Sequence, residues 1–234
     1  MKLWLTILCA TITLNVFSQK TATDFSSIDY RVQFIKKADP ARLAKQLTSL
    51  CNNDLEKVRA IFKWISENIS YQPAQKPNRK VIPLTDDDTV FKSLDERIAE
   101  SVLKKGFALC EGYSRLFKVL CMYAGIRAEV ISGYGRVNRG SRRFGNNHTW
   151  NAVMIDNEWK LLDVTWASGF ISWGGDNFIK SFNEEYFLAP PAKFIGEHYP
   201  DDPAWSLMDD PPLLSEFRHS PFKQKTFSKY KITS

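Results

Sequence analysis

The sequence predicts an α+β fold. Apolar residues recur at helical spacing through the first half of the chain, and from Ala128 to Thr165 the period changes to two. The last two strands of that stretch are separated only by Asp156-Asn157, where Asn tolerates positive φ, so they read as an antiparallel hairpin. Helices followed by an antiparallel sheet is the α+β order.

Residues 1–18 stand outside the fold argument. Lys2 precedes an apolar run from Leu3 to Val16 broken only by Thr and Asn. Val16-Phe17-Ser18 then supplies small residues at the −3 and −1 positions for a cut before Gln19. These are the parts of a secretory signal peptide, so the expected location is secreted or periplasmic. The run falls short of the ~20 apolar residues of a spanning helix, and no other segment approaches that length. Cys9 has no small residues before it, so no lipoprotein anchor is read.

The remaining elements follow in order. Residues 20 to 37 form a lead-in, with Tyr30, Val32 and Phe34 alternating as in a short strand. Asp39-Pro40 starts a helix, Asp as N-cap and Pro in the first turn, with Leu43, Leu47 and Leu50 on its buried face. Asn52-Asn53 breaks it, and Asp54 caps a second helix that carries Val58, Ile61, Phe62, Ile65 and Ile69 at helical spacing. Residues 71 to 89 hold three prolines and read as a loop. Ser93 and Glu96 form a capping box for a helix to Lys104, ended by Gly106. The next helix starts at Cys110 and stops at Gly125. Strands follow over Ala128 to Gly133, His148 to Ile155 and Glu158 to Thr165, with a loop over Gly135 to Asn147. The prolines from Pro190 to Pro212 predict a final third that wraps the core with little regular structure. The domain reads as 28–210, followed by a basic tail over 211–234.

The chain of 234 residues carries a formal charge of +6. Arg136, Arg139, Arg142 and Arg143 cluster in one Gly/Asn-rich stretch, and Lys223, Lys225, Lys229 and Lys231 lie in the tail. A solvated loop and a loose tail account for these, and contact with an anionic cell-wall polymer or membrane surface is the sharper alternative. An exported chain without a recognition motif does not point to nucleic acid. Removal of Cys9 leaves Cys51, Cys110 and Cys121, an odd number that leaves at least one thiol free. Cys110 and Cys121 sit on one helix ~16 Å apart and cannot bridge. A Cys51–Cys121 bridge and two buried free thiols are both open.

Three segments carry chemistry. Cys110 opens a helix, whose unpaired N–H groups and positive partial charge stabilise a thiolate and can receive an oxyanion. A packed cysteine is the plainer alternative. His148 opens a strand, and in a two-residue hairpin pairing Ile155 with Glu158 it faces Thr165. Asp163 is then its diagonal neighbour on the same face, ~7–8 Å away at the backbone and within reach of a hydrogen bond. Trp150 shares that face and can shield the pair from water. Closely spaced zinc-ligand pairs are lacking, so no metal is expected. Asp86-Asp87-Asp88 lacks the Gly and Glu of a calcium loop. His198 and His219 stand in Pro-rich contexts and read as structural. No cofactor is called for.

The segments CEGYSRLFKVLCMYAGI and NHTWNAVMIDNEWKLLDVTW, with EKVRAIFKWISENISY before them, resemble the transglutaminase-like superfamily of papain-type cysteine enzymes. Tyr186-Phe187-Leu188 and the stretch from His198 to Trp205 are similar to the tail of the subgroup around kyphoscoliosis peptidase. The resemblance covers about residues 28 to 210. It implies a papain/transglutaminase-like core, with the nucleophile helix packed on an antiparallel sheet. It implies Cys110 as nucleophile, His148 as base and then acid, and Asp163 as the residue orienting the imidazole. Water on the thioester gives hydrolysis, and a lysine amine gives a cross-link. The Cys110 N–H would be one oxyanion donor, with Gln72 a candidate for the second. The substrate would be a peptide or protein, including a cell-wall peptide. A catalytically silent module holding a peptide or cell-wall strand in the same cleft is the other reading. One departure is plain: the family usually reads Gly-x-Cys, whereas Gly106 stands four residues ahead of Cys110.

Overall fold

The first helix, α1 (Ser26–Val32), lies where the sequence suggests a strand. Ile28 and Val32, four residues apart, are buried, while Tyr30 and Phe34 are exposed and meet edge to face. The spacing of the buried pair is helical, and it decides the element. The computed structural model describes residues 23–72, 92–136, 146–172 and 177–219. The expected signal peptide, Asp86-Asp87-Asp88, Arg139, Arg142, Arg143 and the tail lysines lie outside the described residues.

Helix α2 (Pro40–Thr48) starts where Asp39 accepts the Arg42 N–H at 3.0 Å. Leu43 and Leu47 are buried, but Leu50 falls past the helix end and is exposed. Helix α3 (Asp54–Asn68) is capped by Asn53, one residue before the expected Asp54. Val58, Ile61, Phe62, Ile65 and Ile69 are all buried. Strand β1 (Ser70–Tyr71) follows directly. Helix α4 (Leu94–Lys105) carries the Ser93–Glu96 capping box and ends at Gly106, whose φ of 79° suits a residue without a Cβ. Strand β2 (Phe107–Ala108) pairs in parallel with β1, and helix α5 (Cys110–Tyr123) begins two residues later.

Strands β3 (Ala128–Gly135), β4 (His148–Ile155) and β5 (Glu158–Leu162) form an antiparallel meander. The turn has φ 51° at Asp156 and 61° at Asn157, and Ile155 pairs with Glu158 as expected. The strand expected to run to Thr165 ends instead at Leu162, because Asp163 accepts the Trp166 N–H at 3.0 Å and starts the one-turn helix α6 (Val164–Ala167). Strands β6 (Gly169–Ile171) and β7 (Phe178–Lys180) form a small hairpin. The final third is more ordered than expected. It holds helix α7 (Pro191–Phe194), strand β8 (His198–Pro200) and helix α8 (Leu214–His219), and β8 joins the main sheet beside β3, giving the order β5-β4-β3-β8.

The two faces of β4 explain the architecture. Val153 and Ile155 share a cluster with Phe62, Ile65, Leu116, Phe117 and Leu120 of α3 and α5. Trp150 and Ala152, of opposite parity, share one with Ile131, Leu161, Ala189 and Phe194. Helices therefore cover one face and the wrapping tail covers the other. Arg59 on α3 fastens both ends of this wrap. Its side chain is buried, pairs with Asp29 at 2.7 Å and with Glu184, and lies 4.8 Å from the Phe25 and Phe187 rings.

Candidate active site

Cys110 is the first residue of α5. The three residues between Gly106 and Cys110 have a defined path. Ser70 N donates to Gly106 O at 3.0 Å and Gln72 N to Ala108 O at 3.1 Å, so the approach to the cysteine is laced to the end of α3. Gly112 lets the first turn of α5 close on this segment, since a Cβ there would lie 2.7 Å from the Ala108 Cβ. Leu109 offers no side-chain cap to the first N–H groups of α5. Cys51, Cys110 and Cys121 are all free.

His148 opens β4 and is buried. Its Nε2 lies 2.7 Å from Asp163 Oδ2, the contact the hairpin register calls for. Asp163 sits one residue beyond β5, and the cap it forms on α6 aims its carboxylate. Oδ1 takes the Trp166 N–H and Oδ2 is left for the imidazole. With Nε2 engaged, Nδ1 is the ring nitrogen left for Cys110.

The electrostatics couple the three groups. Burial opposes ionisation of Cys110, but hydrogen bonding and charge from His148 and hydrogen bonds from Thr149 outweigh it and hold the thiol below its ordinary value. Burial pulls His148 down, yet the charge and hydrogen bond of Asp163, aided by Cys110, push it up to about 9. Burial alone would raise Asp163; the charge and hydrogen bond of His148 and a hydrogen bond from His198 hold it well below the carboxylate range. Both directions favour a thiolate beside an imidazolium.

The other expected residues fall nearby. Trp150 is buried with its ring 6.0 Å from that of His148, but the stacked neighbour is Trp166, at 4.8 Å and 24°. Gln72 is half-buried, its backbone tied two residues ahead of Cys110. His198, read from sequence as merely structural, reaches the site through β8. Its Nε2 lies 2.9 Å from Asp163 Oδ2. The local sequence offers no signal for this beyond a histidine between Glu197 and Tyr199, since the contact spans 35 residues.

His148, Asp163 and His198 form a group whose ligand-type atoms lie within 4.8 Å of one another. The shared Oδ2 is at hydrogen-bond distance from both nitrogens, so protons already join the three. A cation could enter only by displacing both.

Comparison with known proteins shows the family. Residues 41–164 match the family model of the transglutaminase-like superfamily core. Kyphoscoliosis peptidase of Homo sapiens is 32% identical over 208 residues, covering 87% of this chain and 30% of that protein. Hillarin of Drosophila melanogaster is 31% identical over 208 residues, covering 80% of this chain and 23% of that protein. This chain thus spans less than a third of either relative. Among solved structures, the periplasmic domain of TgpA from Pseudomonas aeruginosa matches with a TM-score of 0.38 at 17% identity, covering 60% of this chain and 47% of that one.

Proposed function

The chain belongs to the transglutaminase-like superfamily, and on that premise we propose that it is an exported cysteine acyl-transfer enzyme acting on amide bonds of peptides or proteins. The observation that carries the reading is the chain of contacts at the start of α5. There hydrogen bonding and charge from His148 act on the Cys110 thiol, and His148 Nε2 is 2.7 Å from a buried Asp163. Export rests on the apolar run from Leu3 to Val16 behind Lys2.

In this mechanism the Cys110 thiolate attacks the amide carbonyl carbon and the carbonyl π electrons move to oxygen. The Cys110 N–H receives the oxyanion, with the Gln72 side chain as candidate second donor. His148 gives its proton to the leaving nitrogen, the C–N bond breaks, and ammonia or an amine departs, leaving a thioester. His148, now neutral, takes a proton from water or from an incoming amine, which attacks the thioester and returns the thiol. Asp163 holds the imidazole in place and stabilises its charged form. Water yields hydrolysis, and a lysine amine yields a cross-link. A cell-wall peptide fits both the exported location and the amide chemistry.

Iodoacetamide labelling of Cys110 near neutral pH tests the reading. Fast labelling in the wild type that slows in His148→Ala is expected. Equal, slow labelling in both would leave a silent peptide-binding module instead. Cys110-dependent ammonia release, measured with and without an added primary amine, then separates hydrolysis from transamidation.

A further inference from the structure

Asp163 is fully buried, and a buried carboxylate needs donors on its oxygens. Three reach it: Trp166 N on Oδ1 at 3.0 Å, and His148 Nε2 at 2.7 Å and His198 Nε2 at 2.9 Å on Oδ2. The triad chemistry uses only His148. A carboxylate pinned at Oδ1 alone could still swing about its Cβ–Cγ bond. We propose that His198 is a positioning residue, whose Nε2–H fixes Asp163 Oδ2 so that His148 is held toward Cys110. This rests on the triad reading above and adds a fourth member to it.

The proton on His198 can be placed by elimination. Its Nδ1 is buried and has no hydrogen-bond partner among the described residues. A proton there would leave an unpaired buried donor and turn the Nε2 lone pair toward a carboxylate oxygen. A proton on Nε2 removes both penalties. The ring is held by aromatic neighbours: Phe194 stacks on it at 4.1 Å, with Trp166 at 4.3 Å and Trp150 at 5.1 Å. The titratable groups around it are Asp163, His148, Glu197 and Tyr186. Burial and the charge of His148 keep His198 below its ordinary value despite Asp163 and Glu197. A neutral donor has a consequence that Lys or Arg would not. It orients the carboxylate without cancelling the charge that raises His148.

Two measurements on the full chain decide this. Long-range 15N–1H correlation of the imidazoles should show His198 neutral with its proton on Nε2 at pH 7. An Nδ1–H ring or a charged one overturns the proposal, whatever Cys110 does. The second measurement is the pH profile of Cys110 labelling in wild type, His198→Phe and His198→Gln, with thermal unfolding of each. His198→Phe keeps an aromatic ring against Phe194 but removes the donor, so labelling at pH 7 should slow about tenfold and its midpoint should rise. His198→Gln loses the ring but keeps an N–H, and its rate should return to within about threefold of wild type. A residue that only packs gives the opposite ranking, with the Gln variant worse in rate and unfolding alike. That ranking, or a wild-type profile in His198→Phe, overturns the proposal. Should either variant fail to fold, the other and the tautomer decide. Failure of the triad reading looks different, since wild-type Cys110 would then label slowly and without regard to His148.

Discussion

Asp163→Asn is the substitution with the largest expected effect for the smallest change in volume. In the folded chain His148 stands at about 9 against an ordinary 6.5. At about 1.4 kcal/mol per unit this lift is worth about 3 kcal/mol of preference for the imidazolium. Burial works against that preference, so it comes from Asp163 and, to a lesser degree, Cys110. An asparagine oxygen can still cap Trp166, but its amide N–H groups then face His148 and His198. Both rings must give up their Nε2 protons to accept, and His148 becomes the Nδ1–H tautomer. Its proton then occupies the position needed to receive one from Cys110, and the thiol returns toward its ordinary value. Iodoacetamide labelling of Cys110 at pH 7 should fall on the order of 10²-fold and recover only at alkaline pH. Thermal unfolding checks that the variant is folded. A folded Asp163→Asn protein with the wild-type rate and pH profile would refute the assignment of His148 as a group charged by Asp163.

Two more outcomes follow from the same geometry. His148 is raised in the fold, so its contribution to stability is full below pH 6.5 and lost as pH rises through about 9. Asp163 is depressed, so its contribution is full above its unfolded value and lost only as pH falls through its folded one. Denaturant unfolding of Cys110→Ala, which removes the oppositely signed thiol, should show stability falling as pH rises above 6.5, with the fall ending below the wild-type value. That slope should vanish in Cys110→Ala/Asp163→Asn. Gly112→Ala places a methyl 2.7 Å from the Ala108 Cβ and 3.0 Å from Val102 Cγ2, so it should cost about 1–3 kcal/mol in chemical denaturation and slow Cys110 labelling by displacing the segment before it.

Sequence reading succeeds at several places where the decisive physics is local. The Ser93–Glu96 box, the αL position at Gly106 and the two-residue turn at Asp156-Asn157 each involve neighbours in the chain, and each is found as expected. The hairpin register brings the end of β5 beside β4, and the Asp163 cap on α6 completes the contact with His148. The misses are of two kinds. In α1 a period-two pattern is accidental: Tyr30 and Phe34 are apolar but exposed, and only Ile28 and Val32 report the core. At Asp163 a capping residue ends a strand whose apolar sequence continues through Val164, so hydrophobicity misleads where a side-chain cap decides. His198 belongs to a third situation. Its position depends on a three-residue edge strand, which has no periodicity to read.

That edge strand changes where the working unit ends. The family match stops at Val164, whereas β8 contributes His198 from beyond it and seals the free side of β3. A polypeptide trimmed to the matched region would keep Cys110, His148 and Asp163 yet strip β3 of its neighbour, leaving an open edge prone to self-association. The Asp163 carboxylate would lose its donor from His198, and the Trp150 ring would lose its neighbour Phe194. Deletion mapping from the C-terminus should therefore show reactivity and solubility disappearing together as the cut passes His198, well before any triad residue is touched.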